Sequence, residues 1–393
     1  MEDKEVKKAV VGVIGSGTMG TGIAQAAAVS GYKVILFDSN KNALDKARQS
    51  LLSILIRLEE KGKLSGERAA DIFSRIYFAK SLTKFNECGI VIEAVVESLP
   101  VKKELFSQLE NTVRKETILA TNTSSLSVTE IASACKNPER VIGTHFFNPA
   151  PLMPLVEIIP GEKTSREFTE KTKKIINDFG KTIVVCKDSP GFIVNRIARP
   201  FYGEALKILE EGTVDVATID FAMKEIGKFK MGPFELMDLI GNDVNYKVTE
   251  TIYQQFNYEP RFEPSSIQRK LVEEGKLGKK TGVGFYNYTY GQEVPTIAMD
   301  KNLLEEIFFR ILAMLINEAA YAIYEKIASV EDIDLAMTMG VNYPKGLLKW
   351  ADEIGVERIV DKLNLLYDKH KNRRYVVCPL LVSMAKERKK FYE

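Results

Sequence analysis

The residues that build metal centres and disulfide frameworks are scarce in this 393-residue chain. Only two histidines are present, His145 and His370. The four cysteines are Cys88, Cys135, Cys186 and Cys378. None of them forms a C-x-x-C pair, so we expect buried thiols, with neither a disulfide framework nor a metal site.

An excess of charge of either sign is missing as well. Lys and Arg number 55 against 53 Asp and Glu, a net charge of +2, which argues against a protein that binds nucleic acid electrostatically. Hydrophobic residues at 45% and charged residues at 27% are typical of a globular protein. The first residues reach only a short apolar run at 9–14, which is neither a leader nor a membrane span. We therefore expect a cytoplasmic protein with no nucleic-acid or membrane partner.

Short β-branched runs alternate with amphipathic stretches in the first half of the chain. Strands are predicted at 10–14, 33–37, 76–79, 90–94, 118–121, 141–145, 156–159 and 183–186. Helices are predicted at 41–60, 101–114 and 166–179. This alternation indicates βαβ units in a Rossmann-like, mostly parallel α/β sheet, with ligands at the carboxyl ends of the strands.

The pattern becomes helical after Ser189-Pro190-Gly191, which predicts a domain boundary there. The helical half repeats itself at a constant offset of 114 residues, as when Ile219-Asp-Phe-Ala-Met223 recurs as Ile333-Asp-Leu-Ala-Met337. We therefore expect a sheet domain over 1–188, then an all-α domain of two tandem repeats over 189–297 and 298–393.

A glycine-rich turn directly follows the first predicted strand and opens a predicted helix. It reads Gly15-Ser-Gly17-Thr18-Met19-Gly20, the G-x-G-x-x-G pattern of dinucleotide-binding domains. The first glycine permits the tight turn, the second lets the backbone approach a pyrophosphate, and the third allows the helix to pack closely on the strand. The sequence thus predicts a dinucleotide site here.

Asp38 ends the second predicted strand, 18 residues beyond the last glycine of that turn. An acid at this point accepts hydrogen bonds from ribose hydroxyls and repels a 2′-phosphate. No arginine follows it closely. The expected cofactor is therefore NAD rather than NADP.

His145 lies at the end of the predicted strand 141–145, at the sheet edge where a nicotinamide would bind. A dehydrogenase needs a group that takes the proton of a hydroxyl, and histidine titrates in the right range. Glu157 lies inside an apolar strand, where a carboxylate needs a partner. The residues alone leave two interpretations open, a catalytic His–Glu pair, or a core histidine with a glutamate on an exposed strand face.

Seven segments, in order from residue 10 to about 290, resemble the L-3-hydroxyacyl-CoA dehydrogenase family. They are 15–20, 93–97, 121–126, 145–149, 190–196, 232–236 and 280–286. The duplicated helical half is similar to the doubled helical domain of the fused β-oxidation multienzymes of fatty acid metabolism, here without a hydratase part.

The resemblance implies that His145 is the general base and that Glu157 orients it. It also implies that Ser124 and Asn195 hydrogen-bond the substrate oxygen and the thioester region. From the residues alone, Ser124 could equally cap a helix that begins near Ser127, and Asn195 could satisfy backbone groups at a helix start.

For the cofactor, the resemblance implies four residues near the nicotinamide ribose and the phosphates, namely Glu97, Lys102, Asn148 and Lys280. The two lysines could equally be solvated surface residues. Lys61 matches a lysine that the family uses on the phosphates of coenzyme A, but Ile54 stands where the family has a serine, which removes one hydrogen bond from that site.

The resemblance implies a reversible, NAD-dependent oxidation of (S)-3-hydroxyacyl-CoA, and we expect a short acyl chain such as 3-hydroxybutyryl. The alternatives are a dehydrogenase of a non-CoA hydroxy acid or a sugar acid such as gulonate, and a non-catalytic nucleotide-binding relative. In single-copy relatives the helical domain pairs with that of a second subunit. The internal duplication therefore favours a monomer, with a homodimer as the alternative.

Overall fold

The computed structural model describes residues 8–289 and 300–392. The chain divides into two compact units at the Asp188–Ser189 bond, which we call the sheet unit and the helical unit. The predicted boundary between the two helical repeats, at 297/298, lies outside the described residues.

Eight strands form one sheet in the order β3-β2-β1-β4-β5-β6-β7-β8. Their bounds are β1 Val10–Ile14, β2 Val34–Phe37, β3 Ile76–Ala79, β4 Cys88–Glu93, β5 Ile118–Thr121, β6 Val141–Phe146, β7 Leu155–Pro160 and β8 Thr182–Val185. All neighbours are parallel except β6 and β7, which are antiparallel. The prediction of a mostly parallel, Rossmann-like sheet is confirmed.

The helices of the sheet unit connect these strands. They are α1 Thr18–Val29, α2 Lys41–Glu60, α3 Gly66–Ser74, α4 Leu99–Thr112, α5 Val128–Ala132 and α6 Arg166–Asp178. Every strand and helix predicted here from the sequence is present within two residues of its expected bounds. The side chain of Ser127 caps α5 by accepting from the N–H of Glu130, so the idea that Ser124 caps this helix is wrong.

The helical unit follows in residues 189–289 and 300–392. Its helices are α7 Val194–Ile197, α8 Arg199–Glu210, α9 Val216–Glu225, α10 Pro233–Ile240, α11 Asn242–Gln255, α12 Ser266–Glu273, α13 Lys301–Tyr324, α14 Val330–Gly340, α15 Leu347–Ile354, α16 Val356–His370 and α17 Pro379–Glu387. By length and composition α13 could cross a membrane, but most of its apolar stretch is buried inside the helical unit, as in the core helix of a globular domain.

Residues related by the 114-residue offset form reciprocal ion pairs in the helical unit. Arg196 Nε lies 2.6 Å from Glu318 Oε1, and Arg310 Nε lies 2.7 Å from Glu204 Oε1. Arg196 and Arg310 are one offset apart, as are Glu204 and Glu318. Each arginine therefore pairs with the glutamate of the other copy, as a pseudo-two-fold relation between the copies requires.

A buried aspartate caps the N-terminus of the corresponding helix in each copy, α10 in the first and α15 in the second. Asp220 accepts two backbone N–H bonds at the start of α10, and Asp334 does the same at the start of α15. Burial raises the pKa of Asp220 to about 7, and it raises the pKa of Asp334 as well. Both copies thus use one capping device.

Candidate active site

The glycine-rich turn joins β1 to α1. Gly15 has a φ of +95°, and a Cβ there would lie 2.4 Å from the carbonyl oxygen of Ala94. A Cβ on Gly20 would lie 1.8 Å from the carbonyl oxygen of Gly15, whereas Gly17 faces open space. Gly17 is also the N-cap of α1, and no side chain caps the helix there. The N-terminus of α1, uncapped at Gly17, is thus suited to an anionic group such as a pyrophosphate.

Asp38 follows β2 beside this turn. Its Oδ2 accepts from the backbone N–H of Ser16 at 2.7 Å and from the Ser16 hydroxyl at 2.9 Å, and its Oδ1 accepts from Asn40 N–H at 2.8 Å. Asp38, Gly15 and Gly17 line a cavity of about 600 Å³ whose other walls include apolar side chains such as Leu105. An oriented carboxylate, an apolar wall and an open glycine turn together fit the adenosine and pyrophosphate of NAD.

His145 and Glu157 face each other across the antiparallel pair β6 and β7. The His145 Nδ1 and the Glu157 Oε2 lie 2.6 Å apart, and the two residues are 6% and 0% exposed. The interpretation of Glu157 as a residue of an exposed strand face is therefore wrong. With a proton on Nδ1 donated to the carboxylate, the His145 Nε2 is left as an acceptor.

The segment between β5 and α5, residues 122–127, carries Ser124, and we call it the Ser124 loop. Glu97 Oε1 accepts hydrogen bonds from the Thr123 hydroxyl at 2.7 Å, from Ser124 N–H at 2.8 Å and from Ser125 N–H at 3.2 Å. Burial raises the pKa of Glu97, but the Lys102 cation and these hydrogen bonds outweigh burial and hold it below its usual value. Glu97 is therefore an anion that anchors the Ser124 loop.

Lys102 is 1% exposed, so its interpretation as a surface lysine is wrong. Its Nζ lies 2.6 Å from Glu93 Oε1 and 3.2 Å from Glu97 Oε2. Glu93 is the last residue of β4 and was not predicted to belong to the site. The available signal was a charged residue that ends an otherwise apolar run, since such a residue must find a buried partner.

A second cavity, of about 540 Å³, lies between α1, α2 and the loop after β6. Asn148 lines it, as do Ile54, Lys46 and Ser50 on α2. Lys61 is the C-cap residue of α2 and is exposed. Lys46 and Ser50 were not predicted, because one lysine and one serine on an amphipathic helix carry no distinctive signal.

Lys181 holds the loop that forms one wall of this cavity. Its Nζ donates to the carbonyl oxygens of Ala150 at 2.6 Å and Met153 at 2.8 Å, and burial lowers its pKa. Lys181 was not predicted either, since its partners are backbone groups some thirty residues away along the chain.

Two expected site residues belong to the helical unit. Asn195 lies in α7, and its backbone carbonyl accepts from Arg199 Nε at 2.9 Å. Lys280 follows α12, is 44% exposed in its side chain, and forms an ion pair of 2.6 Å with Asp243. The glycine turn, Asp38, Glu97, Ser124 and His145 instead share the carboxyl edge of the sheet, because β1, β2, β4, β5 and β6 all run parallel.

Residues 10–189 match the family model described as "3-hydroxyacyl-CoA dehydrogenase, NAD binding domain". Residues 191–288 and again 307–391 match that of the "3-hydroxyacyl-CoA dehydrogenase, C-terminal domain". The chain belongs to the 3-hydroxyacyl-CoA dehydrogenase family. It is therefore an NAD-dependent oxidoreductase, and the sheet unit is its NAD-binding domain.

Individual relatives of this dehydrogenase agree with the family. A 3-hydroxyadipyl-CoA dehydrogenase of Escherichia coli K12 is 36% identical, over 95% of this chain and 97% of the relative. A probable 3-hydroxybutyryl-CoA dehydrogenase of Deinococcus radiodurans is 42% identical, over 70% of this chain and 99% of the relative. The crystal structure of an Escherichia coli K12 3-hydroxybutyryl-CoA dehydrogenase superposes with a TM-score of 0.92 over 96% of this chain and 98% of that one, at 36% identity.

Proposed function

We propose that this dehydrogenase oxidises short-chain (S)-3-hydroxyacyl-CoA, such as 3-hydroxybutyryl-CoA, reversibly to 3-oxoacyl-CoA. The observation that carries the proposal is the buried His145–Glu157 pair at 2.6 Å, at the sheet edge that also holds the glycine turn. A base beside a dinucleotide turn is what removal of a hydroxyl proton during dehydrogenation requires.

His145 takes the proton of the 3-hydroxyl on Nε2, because Nδ1 is committed to Glu157. The Glu157 carboxylate keeps the imidazole in that tautomer and stabilises the imidazolium that forms. In the reverse direction the same imidazolium returns the proton to the 3-oxo group. Burial of the pair keeps competing water away and strengthens its hydrogen bond.

NAD, when bound, supplies the acceptor for the hydride that leaves C3 of the substrate. The glycine turn and the N-terminus of α1 would hold its pyrophosphate, and Asp38 its adenosine ribose. Glu97, Lys102, Asn148 and Lys280 would lie near the nicotinamide ribose and the phosphates, by resemblance to the family.

Two uncharged side chains would bind the substrate. A hydroxyl such as that of Ser124 and an amide such as that of Asn195 can hydrogen-bond both an alcohol and a ketone, and neither disturbs the charge of the His–Glu pair. The anchoring of the Ser124 loop by Glu97 supports this role, since a substrate contact must be held in place.

The cavity beside α2 would receive part of the coenzyme A moiety. Ile54 makes that wall apolar where a serine would donate a hydrogen bond. On the same helix Ser50 offers a hydroxyl one turn away, and Lys46 offers a cation two turns away. Lys61, at the end of α2, would reach a phosphate from outside.

The test is NADH formation by purified protein with a substrate panel. The panel comprises 3-hydroxybutyryl-CoA, 3-hydroxyadipyl-CoA, a long-chain 3-hydroxyacyl-CoA, free 3-hydroxybutyrate and gulonate. We expect the highest kcat/KM with the first and at least a hundredfold loss without coenzyme A, because remote binding energy is lost with it. Turnover of gulonate or free 3-hydroxybutyrate at the same efficiency would contradict the proposal.

We further propose that the protein is a monomer in the cytoplasm. The reciprocal Arg–Glu pairs join the two helical copies within one chain, which supports the occupation of the surface used for pairing in single-copy relatives. The four cysteines are free thiols, as is typical of a reducing compartment. A mass near 44.1 kDa in solution is expected, and a mass near twice that value would contradict the monomer.

A further inference from the structure

Glu93 is a buried carboxylate to which the roles above assign no task. It ends β4, the strand that lies between β1 and β5 in the middle of the sheet, and it is 0% exposed. Such a position is costly for a charge, so its partners matter for what it does.

Three donors fix both oxygens of the Glu93 carboxylate. Oε1 accepts from Lys102 Nζ at 2.6 Å and from Val95 N–H at 2.7 Å, and Oε2 accepts from the Thr121 hydroxyl at 2.7 Å. Val95 belongs to the segment that follows β4, and Thr121 is the last residue of β5. The carboxylate therefore has one orientation, defined by the two strand ends beside it.

Lys102 connects the Glu93 carboxylate with Glu97, which binds the Ser124 loop. Its ammonium bridges Glu93 Oε1 at 2.6 Å and Glu97 Oε2 at 3.2 Å, while Glu97 Oε1 receives the hydrogen bonds of the Ser124 loop. Glu97 is about one-third exposed in its side chain, so its buried neighbour supplies the fixed end. A continuous chain of contacts thus runs from the sheet through Glu93, Lys102 and Glu97 to the loop.

We propose that Glu93 is a positioning residue of this dehydrogenase, which acts through Lys102 to hold Glu97 and the Ser124 loop in the geometry that NAD and substrate need. The inference rests on the proposed function, because the roles of Glu97, Lys102 and Ser124 belong to it. Glu93 itself touches neither reacting group.

The negative charge of Glu93 matters for this role, so a neutral glutamine at this position should not replace it. The Lys102 ammonium lies between the carboxylates of Glu93 and Glu97 and is nearer to Glu93. Glu97 can therefore accept hydrogen bonds from the Ser124 loop. In Glu93→Gln the side chain keeps its shape and one acceptor oxygen for Lys102 and the Val95 N–H, but it loses its charge, and an amide NH2 that donates to the Thr121 hydroxyl replaces the other oxygen. The ammonium is then drawn to Glu97, which must turn away from the Ser124 loop.

A double-mutant cycle on kcat/KM for NAD, with saturating (S)-3-hydroxybutyryl-CoA, tests the proposal. We expect Glu93→Gln to lose about tenfold, in line with residues that orient contact groups. In the Lys102→Met background the same change should cost less than about twofold, because the path through Lys102 is already cut. An unchanged single variant, or a tenfold loss that persists in the Lys102→Met background, would overturn the proposal.

The matched control is Glu204→Gln, which neutralises an equally buried carboxylate in an ion pair of the helical unit. It should lower the melting temperature at least as much as Glu93→Gln while leaving the KM for NAD unchanged. An equal rise in KM in the control would reduce Glu93 to a stabilising residue and overturn the proposal.

Thr121→Val carries the test if Glu93→Gln does not fold. This variant removes one hydrogen bond to Glu93 Oε2 without changing any charge, and the expected loss in kcat/KM for NAD is about two- to threefold, with an unchanged value as the contradicting result. NADH formation by the parent protein distinguishes a failure of the proposed function from a failure of the role of Glu93. If the parent forms no NADH, the proposed function is wrong. If the parent is active and the variants are unaffected, only the role of Glu93 is wrong.

Discussion

A buried arginine–glutamate ion pair occurs twice in the helical unit, whereas each of two buried charge pairs in the sheet unit occurs once. In the helical unit, the contact of Arg196 with Glu318 is repeated by Arg310 with Glu204. In the sheet unit, His145–Glu157 and Glu93–Lys102 have no second copy among the described residues. Burial of charge is thus common to both units, but only the repeated pairs are explained by the architecture alone.

The two helical copies show the same distinction at single positions. Asn195, expected to bind substrate, is matched 114 residues later by Phe309. The capping aspartates Asp220 and Asp334 are kept in both copies. The two copies can therefore be compared position by position. Polar residues kept in both copies stabilise the helical unit, whereas a polar residue present in one copy, such as Asn195, is a candidate for a role in substrate binding.

The largest effect on activity should come from the His145–Glu157 pair, which has no second copy among the described residues. In the proposed mechanism the Glu157 carboxylate orients His145 and stabilises its protonated form, so we expect kcat to fall about a thousandfold in Glu157→Gln. Steady-state kinetics with saturating substrate measure this. The melting temperature and NADH binding serve as controls, and a loss of less than about tenfold would contradict the role of Glu157 in orienting and charging His145.

Next in size are the repeated pairs, which should affect stability and not activity. Glu318→Gln leaves the buried Arg196 and the partly buried Arg261 without their shared carboxylate, and should cost about 3–5 kcal/mol of unfolding free energy. Glu204→Gln should cost a similar amount. Denaturant unfolding measures both values, and a kcat that falls while stability is kept would break the distinction between the two kinds of pair.

A smaller effect is expected at the position where the two copies differ. Asn195→Ala should lower kcat/KM for the acyl-CoA about ten- to a hundredfold, because one or two substrate hydrogen bonds are lost. Its counterpart Phe309→Ala should lose about 1–2 kcal/mol of stability with unchanged kinetics, because Phe309 is half-buried. Equal kinetic losses in both variants would argue against a substrate role for Asn195.

The smallest effect concerns His370, which replaces Phe256 of the first copy. Burial and the Arg310 cation, with Lys369, lower the pKa of His370 and outweigh the carboxylates of Glu211 and Glu204. The unfolded chain therefore binds a proton that the folded chain resists, and the unfolding free energy should fall as the pH drops below about 6.5 and through the folded pKa.

His370→Phe should remove that part of the acid sensitivity, while its stability at pH 8 stays within about 1 kcal/mol of the parent's. Thermal unfolding from pH 8 to pH 5 compares the two proteins. Identical pH dependence would mean that His370 titrates alike in the folded and unfolded chain.

The sequence predicted more of the fold than of the site. The strands, the glycine turn and Asp38 are local patterns, in which a few neighbouring residues determine the conformation, and the structure places them as expected. Glu93, Lys181 and Lys46 depend on partners or walls brought together by the fold, so no local pattern identifies them. The pairing of His145 with Glu157 lies between these cases, because a register across two strands links residues twelve positions apart.

The measurement that tests the central claim most directly is NADH formation with (S)-3-hydroxybutyryl-CoA and NAD, by the parent and by His145→Gln. The account predicts activity in the parent and a loss of about a thousandfold or more in the variant, with NADH binding and melting temperature retained. Turnover that survives in the variant, or no turnover in a parent that binds NADH, would contradict it.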